Sequence, residues 1–263
     1  MSTLFFAHAN GFPSPSYAPF FKALEQRGYT LDCIEKVGHN PKYPITNNWP
    51  YLIEELEQEV LSRHQEPVIG IGHSLGGMLS YLLARKNPAI YSHLILLDPP
   101  VINGWENILW LLSKALGLSD HFTPAGSSKN RRTHFETHDH AREHLRNKKL
   151  FKDFTDESFE SYIEHGMTET EEGLVTLTID LETELALFRT SPDHLWKFRK
   201  PLGIPGLYLT AEDSDFAKRP FAKRLSKTAK MDYRVLKGGH LFPMEHPEET
   251  ASVIADWLAK SLY

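Results

Sequence analysis

A serine set between glycines has the surroundings of a nucleophile in this sequence. Gly72-His73-Ser74-Leu75-Gly76 matches the pattern G-x-S-x-G. Val68-Ile69-Gly70-Ile71, directly before it, reads as a buried strand, and Leu75 to Arg85, directly after it, as a helix. A sharp strand-to-helix turn strains the serine backbone and exposes the hydroxyl at the helix N-terminus, where the helix dipole favours developing negative charge. Glycines on both sides leave room for the close chain approach such a turn needs. Without this setting the same residues would be a glycine-rich helix start with an ordinary N-cap serine.

A hydroxyl attacks only when a neighbouring base takes its proton. Among 14 histidines, His240 has the right position. It follows the last predicted strand in Gly238-Gly239-His240, precedes the final helix, and comes after Ser74 in chain order. His73, beside the serine in the tight turn, is expected to point elsewhere and to play a supporting or structural part.

The elements around these residues alternate. Thr3 to Ala9, Tyr29 to Lys36, Val68 to Gly72 and His93 to Leu97 read as strands. Pro19 to Arg27, Trp49 to Arg63 and Leu75 to Arg85 read as the helices between them. Apolar strands separated by helices imply a parallel sheet covered on both faces. From about 103 to 197 that rhythm stops, and charged helical stretches take over: Ile108 to Leu116, Arg131 to Asn147, Ser158 to His165 and Glu182 to Thr190. Strand patterns return at Ile204 to Thr210 and Met231 to Leu236, with helices at Phe216 to Thr228 and Pro247 to Leu258. The expected organisation is an α/β core, 1–102 and 198–263, interrupted by a helical insertion, 103–197.

Composition bounds the function. The 263 residues suffice for a sizeable core, and a formal net charge of -5 gives no reason to expect nucleic acid or an anionic membrane as partner. The single cysteine, Cys33, cannot close an intrachain disulfide and is expected to be a small buried core residue. The N-terminal Met-Ser-Thr-Leu-Phe-Phe lacks a basic segment before its apolar run, and no apolar run approaches the ~20 residues of a membrane helix. The cytoplasm is the expected location.

Taken together, these residues resemble the α/β-hydrolase superfamily with a helical cap. Asn10-Gly11-Phe12-Pro13 is similar to its oxyanion loop, with Asn10 where histidine is usual. Gly-His-Ser-Leu-Gly-Gly is similar to its nucleophile elbow, and Gly239-His240 with Glu245-His246-Pro247-Glu248 to its terminal segment. The resemblance implies an α/β-hydrolase fold with a mostly parallel sheet of about six strands, the family's first two strands being absent, and a cap made by the insertion. It implies that the backbone N–H groups of Leu75 and Phe12 form the oxyanion hole. For the acid, the family's usual turn is here Ala211-Glu212-Asp213-Ser214-Asp215, with Ser214 at the aspartate position. Some members place the acid at the end of the strand after the nucleophile, which here is Asp98 in Leu96-Leu97-Asp98-Pro99-Pro100. Asp98 is preferred, Asp215 is the alternative and Asp213 comes third.

Other groupings carry blander readings. His134/His138 and His140/His144 have i,i+4 spacing that could hold a metal, but a solvated polar helix is the expectation, and neither metal nor cofactor is called for. The basic run Lys129-Asn130-Arg131-Arg132 could meet an anionic substrate or be a solvated loop. Trp105, Trp110, Phe122, Phe135, Phe151, Phe154 and Tyr162 are expected mainly to form the insertion's own core, with an apolar acyl pocket as the alternative. The expected reaction is hydrolysis of a small-molecule carboxylic ester, with thioesters, lactones and carbon–carbon bonds as chemical neighbours. The rival is a small-ligand receptor of the same fold without turnover.

Overall fold

Six parallel strands carry the described part of the chain, residues 3–261 of a computed structural model. They are β1 (Thr3–Ala7), β2 (Thr30–Cys33), β3 (Val68–His73), β4 (Tyr91–Leu97), β8 (Gly206–Ala211) and β9 (Asp232–Leu236), in the order β2-β1-β3-β4-β8-β9. The continuous apolar runs of β1, β3, β4 and β8 lie inside, where both faces are covered, and the half-exposed β2 and β9 form the edges. Alternate side chains divide the core into two layers. Leu4, Phe6, Ile71 and Leu97 pack with residues of α1 (Ala18–Glu25), α11 (Phe242–Glu245) and α12 (Pro247–Ser261). Phe5, Ala7, Leu94 and Leu96 pack with residues of α2 (Pro50–Arg63), α3 (Leu75–Lys86) and α10 (Phe221–Ala229). This is the expected α/β-hydrolase architecture. The signal reading of the N-terminus begins on Met1 and Ser2, which lie outside the described residues.

Between β4 and β8 the chain leaves the sheet and forms α4 (Glu106–Ala115), α5 (Ser119–Phe122), α6 (Ala125–Ser128), α7 (His138–Arg146), α8 (Asp156–His165) and α9 (Leu181–Arg189). It also forms three short antiparallel strands, β5 (His134–Phe135), β6 (Met167–Glu169) and β7 (Val175–Leu177), in the order β5-β7-β6. This small sheet departs from the expectation of helices alone. It shortens the helix expected over Arg131 to Asn147, because His134 and Phe135 pair with β7, burying Phe135, and the Thr137 hydroxyl then caps α7 by accepting from His140 N at 3.1 Å. Cys33 also departs from expectation: it lies half-buried on the edge strand β2. Among the described residues no helix is long and apolar enough to cross a membrane.

Candidate active site

The turn from β3 into α3 leaves no space for side chains beside Ser74. A Cβ on Gly76 would stand 2.0 Å from the Ala7 carbonyl oxygen, and one on Gly72 would stand 2.4 Å from that of Gly76. Glycine at both positions lets α3 start against β1, and Ser74 takes the strain with φ at +51°. Conformations of this kind cost about 1–3 kcal/mol and persist only where the surroundings hold them. Ser74 N donates to Leu97 O at 2.9 Å and Gly76 N to His8 O at 3.0 Å, so both neighbouring strands clamp the turn.

Ser74 Oγ lies 2.9 Å from His240 Nε2, and His240 Nδ1 lies 2.7 Å from Asp98 Oδ2. A carboxylate only accepts, so Nδ1 carries the ring proton and Nε2 is left to accept from the serine. Asp98 is fully buried at the end of β4, with φ at +47°. Two hydroxyls complete its surroundings: Thr210 Oγ1 donates to Oδ1 and Ser214 Oγ to Oδ2, each at 2.5 Å. Asp215 points to solvent and pairs with Lys218 at 3.1 Å, and Asp213 is exposed. Ser214 therefore occupies the turn position where the resemblance placed an acid, and donates instead to Asp98 at the end of the neighbouring strand β4. Thr210 carries no signal in the sequence, whereas Ser214 stands out only as the serine between two aspartates.

A second buried chain of hydrogen bonds ties three loops together. His73 Nε2–H donates to the His240 carbonyl at 2.9 Å, which leaves Nδ1 to accept from Tyr17 O–H at 2.7 Å. The Tyr17 oxygen in turn accepts from Ala9 N at 3.3 Å. Burial pushes the His73 pKa down to about 3, aided by the neighbouring His240, so this ring is neutral and its tautomer fixed. Glu245 fastens the histidine loop from outside, accepting from Gly239 N at 2.6 Å. Tyr17 was not singled out in the sequence, since its partner lies 56 residues away.

The two expected oxyanion donors differ. Leu75 is the first residue of α3, so its N–H has no intrahelical carbonyl to bond. Phe12 N instead donates to Ala9 O at 3.1 Å, because Gly11, at φ +81°, closes a tight turn. In this structure the Phe12 N–H is thus engaged rather than free, a correction to the expected pair of open donors.

Ser74, His240, Leu75 and Phe12 all face one cavity of about 670 Å³. The insertion supplies much of its wall, including Trp110, Phe122, Phe151, Tyr162 and Phe188. Its aromatics take both expected parts: Phe135 and Phe154 are buried packing, while Trp110, Phe151 and Tyr162 are buried and also line the cavity. Trp105 and Phe122 are exposed. The histidine cluster is dispersed. His134 lies in β5, apart from His138 on α7, while His140 and His144 pack beside the Phe135 ring. Among the described residues no group of three His, Cys, Asp or Glu side chains is placed to hold a metal.

Comparison with known proteins agrees with this architecture. The sequence pattern of the alpha/beta hydrolase family matches residues 4–253. The abhydrolase domain-containing protein AFT2-1 of Alternaria alternata is 27% identical over 234 residues, covering 74% of this chain and 84% of its own. The crystal structure of E-2-(acetamidomethylene)succinate hydrolase superposes with a TM-score of 0.76 at 19% identity, over 98% of this chain and 91% of that one. The peroxisomal alpha-beta-hydrolase Lpx1 of Saccharomyces cerevisiae gives 0.73 at 19% identity, over 98% and 76%. A strained serine between strand and helix, on a sheet of this order, with a sequence match over nearly its whole length, makes this chain a member of the alpha/beta hydrolase family.

Proposed function

We propose that the chain hydrolyses a carboxylic ester or a closely related acyl bond through Ser74, His240 and Asp98. The observation that carries this reading is the continuous contact from Ser74 Oγ through the His240 ring to Asp98, opening on a cavity large enough for a small or medium acyl substrate. His240 Nε2 takes the proton of Ser74 as Oγ attacks the carbonyl carbon. Asp98 remains ionised and stabilises the imidazolium, while Thr210 and Ser214 hold its oxygens in place. The oxyanion receives the Leu75 N–H, and the Phe12 N–H once it is shared with or released from Ala9. His240 returns its proton to the leaving oxygen, and water then cleaves the acyl-enzyme by the same steps in reverse. The α3 dipole adds positive potential at the attacked oxygen.

Steady turnover of short-chain 4-nitrophenyl esters tests this reading. Wild type should turn over many times, and Ser74→Ala should lose activity by about 10⁴-fold or more while folding normally. Stoichiometric binding without turnover would favour a non-catalytic receptor instead.

A further inference from the structure

Charge singles out one wall of the cavity. The chain as a whole carries a formal net charge of -5. Yet the charged side chains lining this cavity are Arg131, Arg132, Lys148 and Glu184. Three are cations, and the one carboxylate is already taken, Glu184 Oε2 accepting from Arg131 Nη2 at 2.5 Å. Arg132 is partly committed, its Nε donating to His134 O at 2.9 Å. Lys148 stands at the exposed rim. Positive charge therefore exceeds negative where a substrate must lie. His144, on the same wall, is held below the usual histidine range by burial and by the nearby Lys148 and Arg132.

Arg131 has capacity to spare. A guanidinium presents five N–H donors in a fixed fork, and here the buried Nε–H has no partner. The Arg131 side chain is 30% exposed and lines the cavity, so donors beyond the one on Glu184 are left for a ligand. Asn10 Nδ2 donates to Glu184 O at 3.0 Å, which ties the pair to the turn that holds Gly11. The place is close to the chemistry. Glu184 Oε2 lies 3.0 Å from where a Cβ on Gly11 would stand, so the ion pair abuts the turn beside Ser74. A lone carboxylate there would repel an oxyanion on the substrate, and Arg131 cancels that repulsion.

We infer that the substrate carries a compact anion, a carboxylate, near its scissile acyl bond, and that Arg131 binds it while Lys148 and Arg132 draw it in. This rests on the acyl-hydrolase reading above. The same anion could sit on the acyl group or on the leaving group, and matched substrates separate the two. For the acyl side, mono-4-nitrophenyl adipate is compared with 4-nitrophenyl hexanoate. For the leaving side, 4-carboxyphenyl hexanoate is compared with its methyl ester. In wild type one carboxylate substrate should exceed its neutral match in kcat/KM by about 10- to 100-fold, as expected for a charge-assisted hydrogen bond. That ratio should fall towards one in Arg131→Gln. Because this variant strands the buried Glu184, the pair Arg131→Gln with Glu184→Gln serves as the second variant, and a merely structural ion pair would lower both substrates together and leave the ratio unchanged.

Calorimetry on Ser74→Ala reads the same site without turnover, using monomethyl adipate and 4-hydroxybenzoate against methyl hexanoate. Binding of either carboxylate that is lost in the Arg131→Gln, Glu184→Gln background supports the subsite even if wild type hydrolyses no ester, in which case only the acyl-hydrolase reading fails. Turnover without preference in both substrate pairs, or a preference that survives the paired substitution, overturns the anion subsite.

Discussion

The carboxyl edge of the sheet and the insertion facing it treat polar groups in opposite ways. At the sheet edge the polar side chains are held by hydrogen bonds. Asp98 contacts His240, Thr210 and Ser214, and His73 is fixed at both ring nitrogens. On the insertion side, Arg131 keeps an unpartnered Nε, and Arg132 and Lys148 reach solvent. Apolar groups differ in the same sense: Trp105, Ile108, Leu116 and Phe122 are each at least 60% exposed, whereas the strands behind Ser74 are buried. On the proposed function, reaction geometry belongs to the sheet, where neighbours hold the polar side chains, and substrate choice to the insertion, where cations face the cavity. Substitutions at the sheet edge should therefore act on kcat, and those in the insertion on the ratio between substrates.

The largest effect that could break this division lies at the proposed acid, Asp98. Asp98→Asn leaves His240 with the wrong tautomer and an unsupported imidazolium, and kcat should fall by up to ~10⁴-fold. Asp215→Asn removes only an exposed pair with Lys218 and should change kcat less than about twofold. Kinetics of the two variants side by side check this, and the reverse order would move the acid to the 211–215 turn. Next in size is Tyr17→Phe. It orphans the buried Nδ1 of His73 and loosens the link between the Ala9 turn and the His240 loop. We expect kcat to fall about 10-fold with KM nearly constant, together with a loss of about 1–3 kcal/mol in stability. A change confined to KM would place Tyr17 with the binding groups instead.

The smallest effect sharpens the comparison through pH. Burial lowers the pKa of His8 to about 4 and that of His73 to about 3, so both are neutral in the fold. The unfolded chain binds these protons below about 6.5 and the folded chain only below about 4 and 3. Stability should therefore fall as pH drops from 6.5 towards 4, by up to about 1 kcal/mol per pH unit for each ring. Glu55, raised to about 7 by burial, works the other way, because stability from its favoured neutral form is lost as pH rises from 4.5 through 7. Tm measured against pH should show a shallower acid slope in His8→Gln, and an identical slope would mean that His8 titrates normally in the fold.

Much of the sheet is legible in the sequence because doubly covered strands leave continuous apolar runs, as in Val68 to Ile71. Ser74 and His240 are legible as positions because tight turns demand glycine beside them. Asp98 is legible because an apolar strand closes on it. Thr210 and Ser214 are not, since a hydroxyl's partner depends on how β4 and β8 align, a register that no local pattern encodes. The β5-β7-β6 sheet escapes for another reason: strands of two or three residues are too short to show a period. The engaged Phe12 N–H is likewise a property of backbone geometry, with φ of Gly11 deciding where it points.

The central claim, that Ser74 is a nucleophile activated by His240, is tested most directly by mass spectrometry after treatment with a serine-reactive fluorophosphonate. The account predicts one adduct per chain, on Ser74, abolished in Ser74→Ala and much slower to form in His240→Ala. An adduct on another residue, or ester hydrolysis that persists in Ser74→Ala, would contradict it.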